Sequence, residues 1–123
     1  MAKTILAVDD SKTMRDMVSF TLKEAGFIVV DAEDGKHALE KLKSTKVDAV
    51  ITDLNMPNMN GFELIRALRA DPNYKMAPIL MLTTEGDDAK KQEGKNAGAT
   101  GWIVKPFNPE KLIQVVKKVC GES

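Results

Sequence analysis

The sequence predicts an α/β fold with a doubly wound, five-stranded parallel sheet covered by five helices. Two observations predict it: short apolar runs recur along the 123 residues, and stretches of helical periodicity separate them in strict alternation. Neighbouring parallel strands need crossover connections, which helices usually supply. The length suits one core and is short for two, so we expect a single domain over residues 1–123.

Five apolar runs bounded by polar or turn residues predict the strands. They cover residues 5–8, 27–30, 47–52, 79–82 and 102–104. Such short runs, alternating with helical patterns, are typical of the buried strands of a parallel sheet.

Apolar residues at helical spacing predict four of the five helices. The first carries Met14, Met17, Val18, Leu22 and Ala25 on one face and ends at Gly26. The second, third and fifth are marked by Ala38, Leu39 and Leu42, by Phe62, Leu64, Ile65 and Leu68, and by Leu112, Ile113, Val115, Val116 and Val119. The fourth, residues 87–97, has only alanines as apolar residues and contains Gly94. We expect it to be the least anchored helix.

Charge and cysteine content exclude several functional classes. Lysine plus arginine and aspartate plus glutamate number 18 each, so no basic surface indicates a nucleic-acid partner. The apolar run at the N-terminus is too short for a signal peptide or a membrane span. Cys120 is the only cysteine, which suits a reducing compartment and a small apolar role inside the last helix. We therefore expect a soluble, cytoplasmic monomer without membrane insertion.

Polar residues follow four of the predicted strands, where ligands bind in open α/β sheets. They are Asp9 and Asp10, Asp53, Thr83 and Thr84, and Lys105. An aspartate after a strand is sometimes only the cap of the next helix. Three carboxylates at one edge, however, repel by about 4 kcal/mol for each close pair at an effective dielectric constant of about 20. A divalent cation with oxygen ligands, such as Mg²⁺, and the Lys105 ammonium relieve that repulsion.

Four motifs resemble those of response-regulator receiver domains. They are Val-Asp-Asp-Ser (8–11), Thr-Asp-Leu-Asn-Met-Pro-Asn-Met-Asn-Gly (52–61), Met-Leu-Thr-Thr-Glu (81–85) and Gly-Trp-Ile-Val-Lys-Pro-Phe (101–107). The stand-alone length and two of these motifs resemble the chemotaxis members. The resemblance implies the flavodoxin-like strand order 2-1-3-4-5.

The resemblance also implies the chemistry of the site. Asp53 is the expected phosphoacceptor, receiving its phosphoryl group from a histidine kinase. Mg²⁺ is expected on Asp10, Asp53 and the backbone carbonyl of Asn55, with Asp9 acting through a bound water. Lys105 is expected to hold one phosphoryl oxygen.

Further roles come from the same resemblance. Thr83 is expected to donate its hydroxyl to another phosphoryl oxygen, and Trp102 to act as the switch aromatic. Asn55 and Glu85 are expected to set the lifetime of the phosphoryl group. The Lys105–Pro106 peptide is expected to be cis.

An output surface is expected on the face formed by the fourth helix, the fifth strand and the fifth helix. It carries Lys90, Lys91, Lys95 and Trp102, and the resemblance implies a flagellar motor switch protein as its partner. An ordinary solvated helix is the alternative interpretation of these lysines.

Two other functions remain open. A stand-alone receiver also serves as a phosphate sink or relay intermediate. An aspartate-nucleophile phosphohydrolase of the haloacid-dehalogenase type combines similar residues with Mg²⁺. Those enzymes use an Asp-x-Asp pair and a cap, whereas Asp9 and Asp10 are adjacent and no cap-sized insertion is present. We therefore expect a signalling domain that catalyses only its own phosphorylation and dephosphorylation.

Overall fold

The computed structural model of the protein describes residues 2–121. The strands are β1 (Thr4–Val8), β2 (Ile28–Ala32), β3 (Ala49–Thr52), β4 (Ile79–Thr83) and β5 (Gly101–Val104). The helices are α1 (Lys12–Glu24), α2 (Gly35–Leu42), α3 (Gly61–Arg69), α4 (Asp88–Ala97) and α5 (Pro109–Val119). The strands form a parallel sheet in the order β2-β1-β3-β4-β5, which confirms the predicted fold class and strand order.

Side chains on alternate sides of the strands build two cores, one on each face of the sheet. Ile5 and Ala7 of β1 join the core that contains buried residues of α1 and α5. Leu6 and Val8 join the other, which contains buried residues of α2, α3 and α4. Because both faces are covered, the strands are mostly apolar, which is why they appear as apolar runs in the sequence.

Two strands, β2 and β3, begin later along the chain than predicted. Phe27 lies before β2, because its N–H donates to the carbonyl of Leu22 at 3.0 Å and completes the end of α1. Gly26 has the positive φ of 95° that this helix ending requires. Val47 lies before β3, and its N–H donates to the Tyr74 hydroxyl at 3.4 Å instead of to a neighbouring strand.

The predicted apolar stripe of α1 was wrong at Met17. The side chain of Met17 is 50% exposed, and the buried residues of the helix are Val18, Thr21 and Leu22. Cys120 packs against the core of that face and is half-buried, as predicted, but it lies directly after α5 and not inside the helix.

The buried residues of helix α4, Gly94 and Ala97, are both small and lie in its C-terminal half. Gly94 has a packing role that the sequence did not reveal. A Cβ at this position would lie 2.6 Å from Cζ3 of Trp102, so only glycine lets the indole lie against the helix.

Arg69, at the end of α3, joins two connections of the fold, the one before β4 and the one after α4. Its guanidinium donates to the Gly98 carbonyl after α4 at 2.8 and 2.9 Å, and to the Ala77 carbonyl before β4 at 2.6 Å. It also donates to the carbonyls of Tyr74 and Lys75. Burial of the guanidinium lowers the pKa of Arg69. The C-terminal end of α4 is therefore fastened to the end of α3.

Within residues 2–121, no helix is both long and apolar enough to cross a membrane.

Candidate functional site

The carboxyl edge of the sheet brings together the three predicted acidic residues. Carboxylate oxygens of Asp9, Asp10 and Asp53 all lie within 4.8 Å of one another. Asp9 and Asp53 are buried, whereas Asp10 is exposed. The three therefore form one group that is open to solvent on the side of Asp10.

Asp9 is held at both carboxylate oxygens. Its Oδ1 accepts a hydrogen bond from the N–H of Ser11 at 2.9 Å, and its Oδ2 lies 2.7 Å from Nζ of Lys105. The Asp9 residue is 5% exposed. The Lys105 ammonium therefore neutralises a buried carboxylate that would otherwise be costly.

Asp53 lies directly after β3, and its backbone N–H donates to the Val8 carbonyl at 2.9 Å. Its Oδ1 accepts the N–H of Leu54 at 2.8 Å, while its Oδ2 lies 3.5 Å from Nζ of Lys105. A Cβ on Gly61 would lie 2.4 Å from the Asp53 carbonyl oxygen, so α3 can begin beside the site only at a glycine.

The environment of Asp53 disfavours its negative charge. Burial raises the pKa of the Asp53 carboxyl, and the nearby charge of Asp9 raises it further. The Lys105 ammonium, the N–H of Leu54 and the Thr83 hydroxyl oppose that rise. The net result is a raised pKa, as expected for a carboxylate in a buried group of like charges.

These residues fit a divalent cation. Three carboxylates offer the hard oxygen ligands that Mg²⁺ prefers, and the exposure of Asp10 leaves room for the waters that Mg²⁺ keeps. The group of carboxylates can therefore hold a metal ion.

Thr83 and Lys105 lie beside the carboxylates, at the ends of β4 and β5. Thr83 is fully buried, and its carbonyl accepts the N–H of Lys105 at 2.8 Å. The Lys105–Pro106 peptide is cis, as the resemblance implies. The side chain of Lys105 forms its shorter ion pair with Asp9 rather than with Asp53.

A chain of contacts joins the loop after β3, the loop after β4 and Trp102. Nδ2 of Asn55 donates to Oε1 of Glu85 at 3.4 Å. The indole Nε1 of Trp102 donates to the Glu85 carbonyl at 2.8 Å, and the ring lies 6.3 Å from that of Phe62. Trp102 is half-buried. Its hydrogen bond links it to Glu85, which with Asn55 is expected to set the lifetime of the phosphoryl group.

The expected output surface is partly assembled. Lys91, Lys95 and Trp102 line one shallow groove of about 260 Å³ between α4 and β5. Lys90 does not line this groove, and its backbone N–H is bonded to the Asp87 side chain that begins α4.

Arg15, which no sequence motif singles out, contacts the site. Its Nη1 donates to the Asp9 carbonyl at 2.7 Å. An arginine in the second turn of an amphipathic helix carries no distinguishing pattern, so only the fold reveals this contact.

The fold and the site define the class of protein. Residues 5–117 match the response regulator receiver domain, so the chain belongs to that family.

The relatives indicate the type of receiver. The chain is 46% identical over 121 residues to chemotaxis protein CheY1 of Helicobacter pylori, covering 95% of this chain and 96% of the relative. It is 44% identical over 119 residues to a CheY homolog of Campylobacter jejuni, covering 95% and 92%. The structure of chemotaxis protein CheY4 of Vibrio cholerae matches with a TM-score of 0.93 at 53% identity, covering 97% of this chain and 99% of that chain. The protein is thus a signalling receiver similar over nearly its whole length to chemotaxis regulators of the CheY type.

Proposed function

We propose that this protein carries a phosphoryl group on Asp53, taken from a histidine kinase with Mg²⁺ bound beside it. The observation that supports this most is the position of the Asp53 carboxylate. It lies within 4.8 Å of the carboxylates of Asp9 and Asp10, and Nζ of Lys105 lies 3.5 Å from its Oδ2. A nucleophile, a set of metal ligands and a fixed cation thus share one site.

The residues divide the work of the transfer. Phosphoryl transfer depends mostly on positioning and on neutralising charge. Asp10, Asp53 and the Asn55 carbonyl would hold Mg²⁺, with Asp9 acting through a water. When bound, Mg²⁺ supplies positive charge against the phosphoryl oxygens.

The chain's own cation and hydroxyl would complete the site. Lys105 would leave Asp9 to bind one phosphoryl oxygen, and Thr83 would donate its hydroxyl to another. The N–H of Leu54 holds Oδ1 of Asp53, which leaves Oδ2 to attack.

Phosphorylation by acetyl phosphate and Mg²⁺ tests this proposal. Intact mass should rise by one phosphoryl group, and peptide mapping should place it on Asp53. Asp53→Asn should abolish the label, and Asp10→Asn should weaken both Mg²⁺ binding and labelling.

Asp16→Asn is a matched control, because Asp16 is exposed on α1 and pairs with Lys12, away from the site. It should label like the wild type. A label that persists in Asp53→Asn would contradict the proposal, as would catalytic release of phosphate from phosphate monoesters.

For the output, we propose that the phosphorylated protein binds a flagellar motor switch protein through Lys91, Lys95 and Trp102. The groove that these residues line and the similarity to chemotaxis regulators support this partner. Pull-down with and without beryllofluoride tests it. Lys91→Glu should abolish capture, whereas Lys46→Glu, an exposed lysine before β3, should not.

Failure of the wild type to capture the partner in either state would favour a phosphate sink or relay intermediate. Labelling of Asp53 would be unaffected by that outcome, so the two parts of the proposal are tested separately.

A further inference from the structure

Arg15 connects the carboxyl end of β2 to the loop that carries the acidic pair. Its Nε donates to Oδ2 of Asp31 at 3.1 Å, and its Nη1 donates to the Asp9 carbonyl at 2.7 Å. The Arg15 side chain is 15% exposed, so these contacts are partly shielded from water. A guanidinium held by two acceptors in this way has a restricted orientation.

The backbone of Asp9 is held on both sides by β2. The N–H of Asp9 donates to the Ala32 carbonyl at 3.1 Å, and Arg15 links the Asp9 carbonyl to Asp31, the residue before Ala32. The peptide whose carbonyl Arg15 grips is the one that leads into Asp10. The orientation of this peptide determines the position from which the exposed Asp10 side chain extends.

Asp31 is itself fixed by a second cation. Nζ of Lys41 lies 3.6 Å from Oδ1 of Asp31 and also donates to the Asp31 carbonyl. Burial by itself raises the pKa of Asp31. The hydrogen bond from Arg15 and the charges of Lys41 and Arg15 outweigh burial and hold the pKa of Asp31 below its usual value. Lys41 thus shares the acceptor of Arg15 without contacting Asp9.

We propose that Arg15 is a positioning residue for the metal site, orienting the Asp9–Asp10 peptide so that both carboxylates face one divalent cation. This inference rests on the proposed function, because it concerns the same Mg²⁺ site. Arg15 also lines, with Asp9 and Asp53, a cavity of about 10 Å³, which places its side chain next to the group it orients.

If Arg15 acts only through its charge, removing it should raise the Mg²⁺ affinity, whereas if Arg15 positions a ligand, removing it should lower that affinity. A positive charge beside a cation site weakens cation binding, so removing the charge alone should tighten it. Removing a contact that orients a metal ligand weakens binding, typically by about tenfold or more. The sign of the change therefore separates the two roles.

The experiment measures Mg²⁺ affinity through displacement of Mn²⁺, with the free-Mn²⁺ electron paramagnetic resonance signal as readout. Arg15→Met removes the contacts and the charge, and Arg15→Lys removes the bidentate geometry but keeps the charge. Lys41→Met is the matched control, because it removes a positive charge at the same Asp31 and leaves the Asp9 carbonyl bonded. Near-UV circular dichroism checks that each variant is folded.

We expect both Arg15 variants to bind Mg²⁺ about tenfold more weakly and Lys41→Met to bind like the wild type. Unchanged affinity in Arg15→Lys, with equal or tighter binding in Arg15→Met, would overturn the positioning role while leaving the Mg²⁺ site intact. A wild type that binds neither ion would instead overturn the proposed function. If Arg15→Met unfolds, Arg15→Lys with the same control still decides the question.

Discussion

Nζ of Lys105 lies 2.7 Å from Oδ2 of Asp9, so the lysine after β5 neutralises an acid at the end of β1. Both side chains are about nine-tenths buried, at 11% and 8% exposed. Removing one partner of such a pair leaves the other charge buried without compensation. This ion pair therefore supports the fold as well as the site.

Lys105→Ala should lower the free energy of unfolding by about 3 kcal/mol in the absence of Mg²⁺. Urea unfolding measures the change, and Lys111→Ala, an exposed lysine on α5, is the control. The variant should still accept a phosphoryl group on Asp53 but bind its partner poorly. Full partner binding by Lys105→Ala would refute its role in reporting the phosphoryl group.

Asp53→Asn should stabilise the fold at pH 7 without Mg²⁺, because the amide carries no charge for the buried site to disfavour. In the folded protein the pKa of the Asp53 carboxyl is raised above its ordinary value of 3.8, which applies in the unfolded chain. The folded protein therefore binds the carboxyl proton more tightly than the unfolded chain does. Between the two pKa values, the free energy of unfolding falls as pH rises.

The advantage of Asp53→Asn should accordingly shrink as pH falls through the raised pKa and vanish below the unfolded value. Thermal unfolding at several pH values, compared with Asp16→Asn, measures this. An advantage that grew on acidification would show that the charge of Asp53 is favourable in the fold.

The pair Asn55 and Glu85 should set the lifetime of the phosphoryl group. Their side chains meet in a hydrogen bond at 3.4 Å. An amide and a carboxylate admit water more readily than bulky apolar groups do, so the wild type should dephosphorylate rapidly. Asn55→Met with Glu85→Leu should exclude water and slow the loss of phosphate about tenfold, a barrier change of about 1.4 kcal/mol. Loss of label after removal of acetyl phosphate gives the rate, and an unchanged rate would exclude this pair.

Gly94→Ala should destabilise the protein by about 2 kcal/mol, because the added Cβ would lie 2.6 Å from Cζ3 of Trp102. A double-mutant cycle identifies the cause. Trp102→Phe removes the benzene part of the indole, which carries Cζ3. In that background Gly94→Ala should therefore lower the free energy of unfolding much less. Equal costs in both backgrounds would assign the effect to the helix backbone instead.

Trp102 emission should shift when Mg²⁺ and beryllofluoride are added together. Its Nε1 donates to the Glu85 carbonyl, two residues after Thr83, so a movement of Thr83 toward a phosphoryl group changes the indole environment. Asp53→Asn should abolish the shift. Emission that responds equally in that variant, or a silent wild type whose partner binding still switches, would show that Trp102 serves only packing.

The fold class and the carboxylate group could be predicted from local patterns in the sequence, whereas the strand order came from the resemblance to receiver domains. Alternating apolar runs specify a parallel sheet, and parallel strands bring Asp9, Asp10 and Asp53 to one edge. The exposure of Met17 was not predicted, because helical spacing does not distinguish a methionine at the centre of the buried face from one at its edge.

Contacts between distant segments could not be predicted. The preference of Lys105 for Asp9 over Asp53 is a matter of less than 1 Å, which depends on how β5 packs. Arg15 and Gly94 look ordinary in the sequence, because their importance comes from an Asp9 carbonyl and a Trp102 ring brought to them by the fold.

Because Arg69 fixes the C-terminal end of α4, a tilt of this helix moves its N-terminal end most. Its C-terminal end is bonded through the Gly98 carbonyl, and its buried residues lie in the same half. A tilt of α4 therefore turns about Gly98, and displacement grows with distance from that pivot. At about 1.5 Å per residue, Lys91 lies about 10 Å along the helix from Gly98 and Lys95 about 4.5 Å. Any tilt thus moves Lys91 about twice as far as Lys95, which changes the spacing of positive charge along the groove as well as its width.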